Sequence, residues 1–137
     1  MESCKTLKKI FIIDDDKYLL DMYTVKFAEQ GFEVTQAVGS IDALTRLKEG
    51  NIPDLLLLDV VMPTMDGFEL LAVIKKENLA PSCKIVMLSN LGQPSDIERG
   101  RSLGAHGYII KASATPAEVV EKATIVLCGE NLFANVV

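Results

Sequence analysis

Asp54-Leu55-Leu56-Leu57-Leu58-Asp59 is the stretch on which the architecture turns. Pro53 punctuates the chain before it, and the four leucines are apolar enough for a central strand covered on both faces. The run closes on an acid, Asp59. An earlier run, Ile10-Phe11-Ile12-Ile13, closes on Asp14-Asp15-Asp16. If the two are neighbouring parallel strands, Asp14, Asp15 and Asp59 converge at one edge of one sheet. Adjacent carboxylates repel, so such a cluster destabilises a fold unless something uses it. A divalent cation is the simplest use. A hard ion such as Mg²⁺ takes one or two carboxylates, a carbonyl and waters, and leaves room for a phosphate oxygen.

Working outward, strand and helix alternate five times. Residues 9–13 form a short β-rich run. Residues 17–30 carry Leu20, Tyr23 and Phe27 at helical spacing, with Gly31 placed to cap the end. Residues 32–37 alternate apolar and polar, as an edge strand does. Ser40 is the expected N-cap of a helix over 41–49, whose stripe is Ala43, Leu44 and Leu47. After the leucine strand come a helix over 67–77, a strand over 84–88, a helix over 95–103 and a strand over 107–110. Thr115-Pro116-Ala117-Glu118 opens the last helix with a capping box and a proline at the first helical position. Five consecutive βα units imply a doubly wound α/β fold, a parallel sheet with helices on both faces. Residues 8–127 are read as one domain and 128–137 as a short C-terminal tail.

Composition narrows the function classes. The chain has 137 residues, 49% hydrophobic and 24% charged, the balance of an ordinary globule. The net charge of −5 argues against direct nucleic-acid binding, which needs a basic face. No apolar stretch reaches the length of a membrane span, and the polar start lacks the apolar core of a signal peptide. Cys4, Cys83 and Cys128 are odd in number and widely spaced. They suggest neither a metal set nor a disulfide framework, and Cys83 and Cys128 are expected as buried thiols of a cytoplasmic protein.

In doubly wound folds ligands sit at the carboxyl ends of the strands. Asp14, Asp15, Asp59, Ser89 and Lys111 all fall at or just past such ends. With a phosphoryl donor there, Asp59 is the nucleophile and forms an acyl phosphate. Asp15, with Asp14 beside it, holds Mg²⁺ against Asp59. Ser89 donates a hydroxyl to a phosphoryl oxygen, and Lys111 brings a compact positive charge that pairs with Asp59 beforehand. Taken singly, each has a plain reading: an Asp at a strand end is usually a cap, and a Lys there is usually solvated. His106, the single histidine, reads as a surface residue with no proton-transfer role. Met62 and Met65 read as packing and loop residues.

These residues resemble the receiver domain of two-component response regulators. Ile12-Ile13-Asp14-Asp15-Asp16 looks like its first-strand acidic motif. Asp59-Val60-Val61-Met62-Pro63-Thr64-Met65-Asp66-Gly67 looks like its phosphoacceptor loop. Val86-Met87-Leu88-Ser89 matches the strand ending on Ser or Thr. Gly104 to Lys111 matches the segment ending on Lys, with Tyr108 as switch aromatic. The resemblance spans about residues 8–127. It implies a flavodoxin-like sheet of order 2-1-3-4-5 and a metal set of Asp14, Asp15, Asp59 and Val61. It also implies phosphoryl transfer to Asp59 from a sensor histidine kinase or a phosphotransfer protein. The downstream protein partner would then be met by the fourth-helix, fifth-strand and fifth-helix face, with a phosphorylation-dependent homodimer as a further expectation. The chain would be a signalling protein, no enzyme beyond its own phosphorylation and dephosphorylation. The sequence departs from the family pattern at two places. Ala112 follows the Lys where Pro is common, and Asn90 follows Ser89 where a small residue is usual. A trans Lys111-Ala112 bond is expected, with the turn spread over residues 112–114.

Three other classes compete. A receiver fold that no longer takes phosphate would have lost an acid, the nucleophile or the Lys. An Asp-nucleophile hydrolase would need an acid–base group two positions after Asp59, where Val61 stands. A flavin carrier would need a phosphate-binding loop after the first strand, where the Asp triplet repels phosphate.

Overall fold

Burying one leucine is worth about 1.5–3 kcal/mol, whereas a helix cap is worth about 1 kcal/mol. The leucine run therefore dictates where the centre of the molecule lies, and caps only trim the ends. In the computed structural model, which describes residues 8–133, Leu55–Leu58 is the central strand, fully buried. The elements run β1 (Lys9–Asp14), α1 (Lys17–Glu29), β2 (Glu33–Val38), α2 (Ser40–Lys48), β3 (Leu55–Leu58), α3 (Gly67–Lys76), β4 (Lys84–Ser89), α4 (Pro94–Ser102), β5 (Gly107–Ile110) and α5 (Pro116–Leu127). The five strands form one parallel sheet of order β2-β1-β3-β4-β5. The expected architecture is the observed one.

Because strand side chains alternate between faces, the sheet divides the core in two. Phe11, Ile13, Leu56, Leu58, Ile85 and Met87 pack with the buried stripes of α2, α3 and α4. Ile10, Ile12, Leu55, Leu57, Val86 and Leu88 pack with Leu20, Tyr23 and Phe27 of α1 and with Val119, Ala123 and Val126 of α5. Met62 is buried and Met65 packs at the edge of the first cluster, as packing residues do.

Several local expectations are corrected. Ser40 is not an N-cap. It is the first residue of α2, Gly39 takes the cap position, and the Ser40 hydroxyl donates to the Met65 carbonyl instead. The hydroxyl serves a tertiary contact that no local pattern encodes. Pro94, with its fixed φ, starts α4 one residue earlier than expected. Cys83 is buried and free, as expected. Cys128 is only half-buried and is disulfide-bonded, contrary to the expectation of a buried thiol; Cys4 lies outside the described residues. His106 is half-buried rather than on the surface. Its Nδ1 accepts the Ile85 N–H at 3.0 Å, so it serves as a structural acceptor at the start of β5.

The residues after α5 do something the sequence did not announce. Leu132 forms a parallel bridge with Gly107, its N–H donating to the His106 carbonyl at 2.8 Å and its carbonyl accepting the Tyr108 N–H at 2.9 Å. A Cβ on Gly107 would stand 2.7 Å from the Leu132 carbonyl oxygen, so the close approach needs glycine. Phe133 lies under the Arg101 guanidinium at 4.3 Å.

Candidate functional site

The register of the sheet brings the acids together. Ile13 of β1 stands opposite Leu58 of β3, so the next residues, Asp14 at the end of β1 and Asp59 just past β3, stand side by side. Asp14, Asp15 and Asp59 each offer a carboxylate oxygen within 4.8 Å of the others. Asp14 and Asp59 are buried and Asp15 is exposed. Asp16 turns away from the cluster: its side chain accepts the N–H groups of Tyr18 and Leu19 and caps α1. The Asp59 loop is held by a tight approach, since a Cβ on Gly67 would sit 2.1 Å from the Asp59 carbonyl oxygen. Asp66 then caps α3 through a capping box with Glu69.

Lys111 enters from the end of β5. Its Nζ donates to Asp14 Oδ2 at 2.8 Å and lies 3.5 Å from Asp59 Oδ2. The expected pairing with Asp59 is therefore shared, and the nearer partner is Asp14. Asp14 Oδ1 also accepts the Asp16 N–H at 2.9 Å. Burial alone would lower the Lys111 ammonium pKa. The Asp14 hydrogen bond and the charges of Asp59 and Asp14 outweigh it and hold the pKa above the ordinary value. Burial first, then the Asp14 charge, push the Asp59 carboxyl up to about 7.

One ammonium does not balance this cluster. Two carboxylates about 5 Å apart repel by roughly 3 kcal/mol at an effective dielectric constant near 20, and the third adds to it. A divalent cation fits the donor set: hard oxygen ligands, closely spaced, with Asp15 open to solvent. Val61 follows in the loop and is 58% exposed. Its side chain is apolar, so only its backbone carbonyl is available as a ligand.

Ser89 ends β4, fully buried, and its Oγ accepts the Leu91 N–H at 3.2 Å. Tyr108 is 1% exposed and its hydroxyl donates to the Leu91 carbonyl at 2.6 Å. Burial pushes its phenol up to about 12. The aromatic is thus packed inward against the loop that follows Ser89. Between Ser89 and Leu91, the Asn90 side chain accepts the Ala112 N–H at 2.9 Å. The described residues contain no cis peptide, so Lys111-Ala112 is trans, as expected, and the turn is a 3₁₀ segment, Lys111–Ser113. The sequence marked Asn90 and Ala112 as separate departures. Their contact spans two loops and was not legible from either.

The fold and the sequence recur in known proteins. The response regulator receiver domain family matches residues 10–124. The regulatory protein VanRc of Enterococcus gallinarum is 36% identical over 115 residues, 84% of this chain and 48% of that protein. The phosphate regulon transcriptional regulatory protein PhoB of Rhizobium meliloti (strain 1021) is 33% identical, over 80% of this chain and 48% of its own length. Among solved structures, a CheY-like response regulator receiver domain protein from Methanospirillum hungatei JF-1 superposes with a TM-score of 0.80 at 31% identity. The match covers 90% of this chain and 95% of that one. This chain belongs to the response regulator receiver domain family of two-component systems. It spans about half the length of the curated relatives it matches.

Proposed function

We propose that this chain accepts a phosphoryl group on Asp59 and uses the change to alter its binding to a protein partner. The observation that carries the reading is an Asp59 carboxylate oxygen within 4.8 Å of oxygens of Asp14 and Asp15, with the Lys111 ammonium 3.5 Å away. The donor is a phosphohistidine on a sensor kinase or phosphotransfer protein. An Asp59 oxygen attacks the phosphorus, the P–N bond breaks, and the imidazole leaves with the electron pair. Lys111 neutralises charge on a phosphoryl oxygen, and Ser89 turns its hydroxyl toward another. Asp14, Asp15, Asp59 and the Val61 carbonyl would hold Mg²⁺, which when bound supplies charge neutralisation on the phosphoryl oxygens. Tyr108 responds through its bond to Leu91, since the loop carrying Leu91 also carries Ser89. The α4–β5–α5 face is the surface whose affinity changes, toward a downstream protein or a second copy.

Beyond its own phosphorylation and dephosphorylation no enzymatic activity is assigned. A cytoplasmic location is the one that fits kinship with response regulators; no helix among the described residues is long and apolar enough to cross a membrane. The Cys128 disulfide pulls the other way, because glutathione keeps cytosolic thiols reduced. Alkylation trapping of freshly lysed cells decides between them. On charge, no nucleic-acid contact is assigned to these residues.

The test is incubation with Mg²⁺ and a small phosphodonor, read by Phos-tag mobility and intact mass. The expected result is one acyl phosphate, lost in Asp59→Asn and in excess chelator, and weakened in Asp15→Asn. A signal that survives Asp59→Asn sinks the mechanism. A parent that takes no phosphate returns the chain to the class of pure interaction modules.

A further inference from the structure

Lys111 reaches the acids on a four-carbon stem with free rotation, so its aim depends on where the backbone starts. That backbone is held from an unexpected side. The peptide after Lys111 carries an N–H because residue 112 is alanine, and Asn90 Oδ1 accepts it at 2.9 Å. Asn90 lies between the two residues that tie its own loop to the site. Ser89 Oγ accepts from Leu91 N–H at 3.2 Å, and the Leu91 carbonyl accepts from the Tyr108 hydroxyl at 2.6 Å. On the other loop the Lys111 carbonyl accepts from Ala114 N–H at 3.4 Å, closing the 3₁₀ turn. The Asn90–Ala112 bond is thus a side-chain clasp joining the loop that bears Ser89 to the turn that bears Lys111. An exposed Asn in a turn usually spends its amide on water or on its own backbone. Here it bonds across 22 positions of sequence instead.

We propose that Asn90 is a positioning residue for phosphoryl transfer: by accepting the Ala112 N–H it registers the Lys111 turn against the Ser89 loop, so that the ammonium and the hydroxyl approach the same phosphoryl group together. The inference rests on the phosphoryl-transfer reading above. Asn90 itself touches no reacting atom; it acts through Lys111. The clasp works only while residue 112 has an N–H to give, so a proline there makes the acceptor useless.

That dependence supplies the experiment. The rate constant of Mg²⁺-dependent phosphorylation by a small donor is measured for the parent, Asn90→Ala, Ala112→Pro and the double variant. Asn90→Ala is expected to slow the maximal rate about fivefold in the parent, the size of one neutral hydrogen bond. The donor concentration at half-maximal rate should stay unchanged. In the Ala112→Pro background the same substitution is expected to cost nothing further, whatever the proline does alone. Hydrogen exchange of the Ala112 amide should be slower in the parent than in Asn90→Ala. No loss in the parent background, an equal loss in both backgrounds, or equal amide exchange overturns the proposal. A parent that takes no phosphoryl group overturns the proposed function instead, and is told apart because it needs no variant.

Discussion

Asp59 is buried beside a second buried carboxylate, and its protonation carries a stability consequence. Its carboxyl is raised from an ordinary 3.8 to about 7. Between those values the folded state binds more protons than the unfolded chain, so this group's stabilising contribution is present below about pH 4 and lost as pH rises through about 7. In chelator, Asp59→Asn should therefore be more stable than the parent near pH 8, by roughly 2–4 kcal/mol, and nearly equal to it near pH 4. Urea unfolding at the two pH values checks both. His106 acts in the opposite sense. Burial, then Lys84 and Lys75, lower its imidazole below 6.5, so its contribution is present above about 6.5 and lost as pH falls through the lowered value. On the phosphoryl-transfer reading, Val61 and Leu91 bear on the lifetime of the phosphorylated state. They are 58% and 38% exposed and apolar, so neither can orient an attacking water. Val61→Asn or Val61→Glu should speed loss of the phosphoryl group, toward the roughly hundredfold that a placed polar group contributes. Decay of the Phos-tag band measures it, and unchanged decay removes water positioning as the control.

At the scale of elements, start and stop signals were readable where they were local. The Thr115–Glu118 capping box stands as read, and Gly31 follows α1 at φ 92°. Thr115→Ala should cost about 1 kcal/mol in urea unfolding. Signals failed where a side chain had a tertiary partner, as with Ser40. They also failed after α5, where no periodicity marks residues 130–133. The Leu132 bridge depends on backbone groups, which every sequence carries alike. Its signature is Gly107, whose missing Cβ makes room for the Leu132 carbonyl. Gly107→Ala should release this segment: the Tyr108 amide, bonded to Leu132, should exchange faster, while amides inside β3 keep their protection. Equal exchange at Tyr108 would mean that the bridge tolerates the methyl.

For the whole molecule, the acid cluster is a source of repulsion in the metal-free fold and, on the proposed reading, a set of cation ligands. On that reading Mg²⁺ binds the folded chain and not the unfolded one, so adding it should raise the melting temperature. At a hundred times its dissociation constant the gain is about 2.7 kcal/mol, and Asp15→Asn should remove most of it. Thermal scans with Mg²⁺ and with EDTA test this, and a salt control of equal ionic strength separates binding from screening. The sequence by itself determined the alternation of strands and helices and the central place of the leucine run. It also determined that acids, a hydroxyl and a lysine stand at strand ends, because periodicity and strand-end position are properties of the local chain. The tertiary structure alone decided that Lys111 bonds Asp14 more closely than Asp59, and that Asn90 answers Ala112. It alone decided that Leu132 returns to β5 and that Cys128 is disulfide-bonded. Those contacts join positions far apart in sequence, and distance in space follows from the packing of layers, which no local pattern records.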